Sequence, residues 1–98
     1  MTAPFYLGDE VSAAGYRLAG ASVRTPAAGD ETSALSEACA QAPLVLLSAA
    51  VAARIAEGVL RSALSALAPL VLIVPDLAGD VPLPDLAARL REQLGLEA

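Results

Sequence analysis

The sequence predicts an α/β fold: a small doubly wound sandwich in which helices flank four parallel strands, followed by a linker and a C-terminal helix. Three observations predict it. Two unbroken aliphatic runs, Leu44–Leu47 and Leu70–Val74, lack the polar alternation of a half-exposed strand and read as strands of a parallel sheet covered on both faces. Stretches of helical period separate the apolar runs, giving the order βαβαβαβ, linker, α. The 98 residues, 56% hydrophobic and 3% aromatic, suffice for one small domain built mainly from Ala, Leu and Val. Right-handed crossovers then give the strand order 2-1-3-4.

Taken in order, Pro4-Phe5-Tyr6-Leu7-Gly8 is a compact apolar run that ends at Gly-Asp. Asp9 is placed to cap a first helix, with Glu10 at the positive end of its dipole. Val11, Ala14 and Leu18 are expected on its inner face, and Gly20 stops it. Ala21–Arg24 is a short second strand, followed by a loop through Thr25-Pro26 and Gly29-Asp30. A second helix begins at about Thr32, led by Asp30 and Glu31, with Leu35, Cys39 and Ala42 facing inward, and Pro43 ends it.

After the third strand, Leu44–Leu47, Ser48 is placed to cap one long helix from about Ala49 to Leu67. Val51, Ile55, Val59 and Leu60 are expected inside, and Arg54, Glu57 and Arg61 outside. Glu57 and Arg61 form an i, i+4 pair in the favourable order, worth ~0.3 kcal/mol. The fourth strand, Leu70–Val74, closes an α/β domain of residues 1–75. Residues 76–84 hold Gly79, Pro82 and Pro84 without periodicity and read as a linker. Residues 85–98 form the C-terminal helix, with Pro84 or Asp85 in its first turn, a Leu86-Leu90-Leu94 stripe and Gly95 as its stop.

Composition narrows the chemistry. The chain has no histidine, and its six basic residues, all arginines, stand against eleven acidic ones for a net charge of −5. Without histidine there is no Ser-His-Asp or Cys-His catalysis and no His-ligated zinc. Without lysine there is no Schiff base and no phosphate-reaching P-loop lysine. The acidic balance lacks the basic face that nucleic acid requires. One cysteine, Cys39, forms no intramolecular disulfide, and the N-terminus lacks signal-peptide character, which points to the cytoplasm. Mean hydropathy is +0.60. Yet the longest uncharged run, Ala38–Ala53, holds Gln41 and Pro43 and falls short of the roughly 17–25 residues of a membrane span.

In open parallel sheets, ligands bind beyond the carboxyl ends of the strands. That rim offers Gly8, Asp9 and Glu10 after the first strand, Ser48 after the third and Asp76 after the fourth. Three carboxylates on one edge are similar to the Mg²⁺ and aspartyl-phosphate site of response-regulator receivers. The position of the phosphoacceptor is Ser48, however, and the required lysine is missing. Helix capping therefore accounts for Asp9 and Glu10 better than a cation does, and no cofactor or metal is expected. Cys39, on an inner helix face, reads as a small buried thiol. Tyr16 and Arg17 on the first helix are candidate partner contacts, as are Leu86, Arg89, Leu90 and Leu94 on the last.

Gly8-Asp9-Glu10 followed by Gly15-Tyr16-Arg17-Leu18-Ala19-Gly20 resembles the F subunit of V-type and archaeal-type (V/A) rotary ATPases and ATP synthases. The similarity continues through Leu44–Leu47, the helix holding Ala53 and Ile55, and the Pro69–Pro75 strand, and departs at Ser48-Ala49-Ala50, where family members often carry an acidic or amide residue. The resemblance implies a non-catalytic central-stalk subunit with a receiver-like domain. Such a subunit binds the coiled-coil D subunit and rotates with it inside the catalytic headpiece, coupling ATP turnover to ion transport. It would be cytoplasmic and peripheral to the membrane. By the same resemblance, the linker Asp76–Pro84 is a hinge, and the helix Asp85–Leu94 contacts the nucleotide-binding subunits. The alternative is a stand-alone receiver-like regulatory domain without a phosphoacceptor.

Overall fold

A computed structural model describes residues 3–74, 88–89 and 91–92. Its elements are β1 (Phe5–Leu7), α1 (Glu10–Leu18), β2 (Ser22–Arg24), α2 (Glu31–Gln41), β3 (Leu44–Ser48), α3 (Ala49–Ala52), α4 (Glu57–Ser65) and β4 (Leu70–Val74). The strands form one sheet in the order β2-β1-β3-β4, and every pair is parallel. The chain is thus an α/β doubly wound fold with the strand order the sequence predicts. The expected linker, residues 76–84, lies outside the described residues. Of the C-terminal helix, residues 88–89 and 91–92 are helical.

The crossovers divide the helices between the two faces of the sheet. On one face, Ala34, Leu35 and Ala38 of α2 and Val51 and Ala52 of α3 pack with Leu7, Val45, Leu47 and Val71, with Leu60 and Ala63 of α4 at the margin. On the other, Ala13 and Tyr16 of α1 pack with Tyr6 and Leu46. β1 and β3 are therefore buried on both sides, which is why Leu44–Leu47 needs no polar alternation.

Two expectations are corrected by this packing. In α1 the buried residues are Ser12, Ala13, Gly15 and Tyr16, while Val11 and Leu18 are exposed. Tyr16 supplies the bulk that fills the space over the sheet, and the small residues beside it let the helix approach closely. The expected long helix is also two. After α3 the chain tightens into i→i−3 turns, Arg54 N donating to Val51 O at 3.0 Å and Ile55 N to Ala52 O at 3.2 Å, before α4 starts at Glu57. The turn lets Ile55 reach the core alongside Val51 and Ala52. A continuous helix would carry Val59 inward as well, but Val59 is exposed and Leu60 only half-buried.

Both ends of α1 are closed by local chemistry. Asp9 caps its start. At its end, Gly20 takes a left-handed φ of 107°, and Gly20 N and Ala21 N donate to Arg17 O and Tyr16 O, both at 3.0 Å. This is the glycine-terminated Schellman arrangement that the sequence signals at Gly20.

Candidate functional site

The rim at the carboxyl end of the sheet is occupied by residues that build the fold. Asp9 Oδ2 accepts from Ser12 N at 3.0 Å. Partial burial pushes the Asp9 carboxyl up, but hydrogen bonds from Ser12, from Val11 and from its own amide together outweigh this and hold it below its ordinary 3.8. Ser48, fully buried at the end of β3, accepts from Val51 N at 3.1 Å and caps α3. Gly8 is required by its neighbour: a Cβ there would meet the Tyr6 phenolic oxygen at 2.1 Å. Glu10 is exposed, and Asp76 lies outside the described residues. Among the described residues, no three His, Cys, Asp or Glu side chains gather as they would around a metal ion.

Of the candidate contact residues, Tyr16 belongs to the core. It is 4% exposed, and its ring stacks on Tyr6 with centroids 4.1 Å apart and planes 15° from parallel. Burial pushes its phenol above the ordinary 10.0. A side chain held this way presents nothing to a partner, so the surface reading of Tyr16 is corrected. Its neighbour Arg17 is exposed and, with Glu10, Ala13 and Thr25, lines an open groove of about 370 Å³ beside β2. Arg89 is helical and exposed. Leu86, Leu90 and Leu94 lie outside the described residues.

Two contacts were not anticipated from the sequence. Glu31, placed by its position in the dipole of α2, is 4% exposed. Its Oε1 accepts from Gly29 N at 2.9 Å, and its Oε2 lies 3.5 Å from Arg54 Nε, tying the start of α2 to the turn between α3 and α4. Arg91 Nη2 donates to Leu18 O at 2.7 Å. Nothing local announces the Glu31–Arg54 pair or the Arg91–Leu18 bond, because each joins residues far apart in the chain. Cys39 is half-buried, and burial raises its thiol pKa, which keeps it protonated and unreactive near neutrality.

The chain matches no known family model, no curated protein and no solved structure. Among the described residues, no helix is long and apolar enough to cross a membrane. The described surface carries exposed charges on α1, at Glu10 and Arg17, and at Arg89 and Glu92, while Asp9 and Ser48 at the rim serve as helix caps.

Proposed function

We propose that this chain is the F subunit of a V/A-type rotary ATPase or ATP synthase, a non-catalytic part of the central stalk. It would bind the coiled-coil D subunit and help couple ATP turnover in the catalytic headpiece to ion transport. The observation that carries the reading is the Gly8-Asp9-Glu10 and Gly15–Gly20 pattern, whose residues fall on the bend after β1, the capped helix α1 and its glycine stop, beside a four-stranded parallel sheet. The spent rim supports the same reading. Ser48 stands where a receiver would carry its phosphoacceptor, and it is consumed as a helix cap, which speaks for a part that transmits or regulates.

The partner surface is formed by Arg17 on α1 and Arg89 near the C-terminus, both exposed and neither used in the core. Arginine suits such a surface because its planar fork makes several directed hydrogen bonds at once. Facing Arg17 and Arg89, the coiled-coil stalk would carry Asp or Glu, while the chain's net charge of −5 favours Arg or Lys on the stalk beyond those two contacts. It would work in the cytoplasm, peripheral to the membrane. The test is co-expression with the D subunit encoded in the same genome, followed by size-exclusion chromatography. Co-elution is expected; two separate peaks would count against the assignment and favour a stand-alone regulatory domain.

A further inference from the structure

Among the described residues the sheet ends at β2 on one side and at β4 on the other, and these two edges are built differently. β2 is three residues long and carries Arg24; a short strand with a charge resists pairing with another chain. β4 is Leu70-Val71-Leu72-Ile73-Val74, an uncharged strand without proline or glycine. Leu72 pairs in register with Leu46 and Ile73 with Leu47, which lie in the cores on opposite faces of the sheet. Yet Leu72 is 44% exposed and Ile73 45%. A strand equally open on both faces lacks a neighbouring strand rather than a covering layer.

The backbone register says what kind of strand fits. Leu70 N donates to Pro43 O at 2.9 Å, which turns the peptide groups of Leu70, Leu72 and Val74 toward β3. Alternate residues of a parallel strand bond to the same neighbour, so the N–H and C=O of Val71 and Ile73 face the open edge. That spacing is self-complementary. When a second copy of the strand runs antiparallel with Leu72 opposite Leu72, Val71 of each copy lies opposite Ile73 of the other, and these two residues exchange both N–H···O bonds. Leu70 then lies opposite Val74, so every cross-strand pair is apolar. The prolines at 69 and 75 have no N–H to give, and the ladder stops with the strand at both ends.

Charge selects the occupant. Within residues 57–74 the charged side chains are Glu57 and Arg61, which pair with each other, so the net charge of −5 sits elsewhere. Two copies meet here without like charges, and a strongly charged partner finds nothing to attract it. The exposed large apolar side chains gather in the same stretch: Val59, Leu64 and Leu67 join Leu70, Leu72 and Ile73, against Val11 and Leu18 on α1. α4, which packs on β4, has no buried residue.

We propose that the chain forms a two-fold dimer through its β4 edges, joining the sheets of two copies into one. Such a contact uses the same strand on both copies and closes on itself. The groove that Arg17 lines lies beside β2, at the other edge of the sheet. The dimer therefore neither needs nor opposes the rotary assignment.

Sedimentation equilibrium of the full chain, from micromolar to millimolar concentration, tests it together with crosslinking. The parent approaches twice its monomer mass of 9.8 kDa. Leu72→Lys, which sets two ammonium groups opposite one another, and Ile73→Lys each raise the dimer dissociation constant at least about tenfold. Both positions are exposed, so both variants are expected to fold, and circular dichroism checks this. Val11→Lys, an equal change on α1, leaves dimerisation unaltered. In a Cys39→Ser background, Leu72→Cys crosslinks to its own counterpart under mild oxidation. Facing residues of a non-hydrogen-bonded pair have Cα atoms about 4.5 Å apart, within disulfide reach. Ile73→Cys, whose counterpart is displaced along the strand, crosslinks at least about tenfold more slowly. A monomer at every concentration would overturn the proposal and leave the edge to a different protein. So would a dimer that survives both lysine variants unchanged, or crosslinking no faster at position 72 than at 73.

Discussion

Tyr16 lies flat on Tyr6, and that contact decides what α1 can present to solvent. Hydropathy ranks Val11 and Leu18 as the inward residues of this helix, yet the ring between Ala13 and Ala19 takes the space over the sheet. Truncating it leaves a cavity that alanine- and glycine-rich neighbours cannot fill. Tyr16→Ala therefore costs about 3–5 kcal/mol in urea unfolding, a large share of the stability of a small domain. Tyr16→Phe keeps the stack and costs below about 1.5 kcal/mol. Because burial raises the Tyr16 phenol, its contribution is complete below the unfolded value near pH 10 and is lost as pH rises through the folded value. Tyr16→Phe accordingly flattens the alkaline limb of stability against pH.

Asp9 runs the opposite way. Its folded carboxyl is depressed, so its contribution is present above the unfolded value near pH 4 and disappears as pH falls through the folded one. Asp9→Ala removes the cap and lowers stability at neutral pH by ~1 kcal/mol. Asp9→Asn keeps a capping oxygen, and its loss at neutral pH is smaller. Thermal melts across pH 2–7 read both effects (a range chosen to span roughly the carboxylate titration). The cap itself was legible in Gly8-Asp9-Glu10 because N-capping is a local matter of one side chain and the amides just beyond it. The aromatic stack was not, since it joins residues of two different elements, Tyr6 of β1 and Tyr16 of α1.

The same distinction holds for elements. β3 and β4 could be read to within a residue from their unbroken aliphatic runs, and α2 from its spacing and Pro43. The division of α3 from α4 could not, because the stretch from Ala49 to Ala56 holds no proline or glycine to mark it. Tertiary demand sets the break: Ile55 must enter the core beside Val51. Arg54 then faces Glu31, and the pair fastens the break to α2. Glu31→Ala removes both the Gly29 bond and the ion pair and costs about 2 kcal/mol. Glu31→Gln keeps an acceptor for Gly29 N and costs less, about 1 kcal/mol or below, since Arg54 is half-exposed to solvent and screened. By contrast, the Glu57–Arg61 pair, which the i, i+4 spacing did reveal, lies on an exposed helix face, so breaking it changes stability by below about 0.5 kcal/mol. Chemical denaturation of the three variants orders these contacts.

At the scale of the whole molecule, residues that looked like candidate chemistry resolve into architecture. Asp9 and Ser48 cap helices, Gly8 makes room for a phenol, and Tyr16 is core. The pattern Gly8-Asp9-Glu10 with Gly15–Gly20 is thus a recipe for a turn, a capped helix and a stop. In the proposed complex the recognition lies on the outside, in Arg17 and Arg89. The proposed interface is polar and charged, so its affinity falls as salt rises. Arg17→Ala and Arg89→Ala each weaken partner binding about tenfold, ~1.4 kcal/mol, without shifting the thermal midpoint of the isolated chain. Such losses at neutral stability separate a contact surface from a packing role.

The central claim is that the chain belongs to a rotary stalk, and calorimetric titration of the purified chain into the purified coiled-coil D subunit tests it most directly. The account predicts a saturable one-to-one complex whose affinity drops about tenfold with either Arg17→Ala or Arg89→Ala. An absence of binding heat at several temperatures, with both proteins folded, would contradict it.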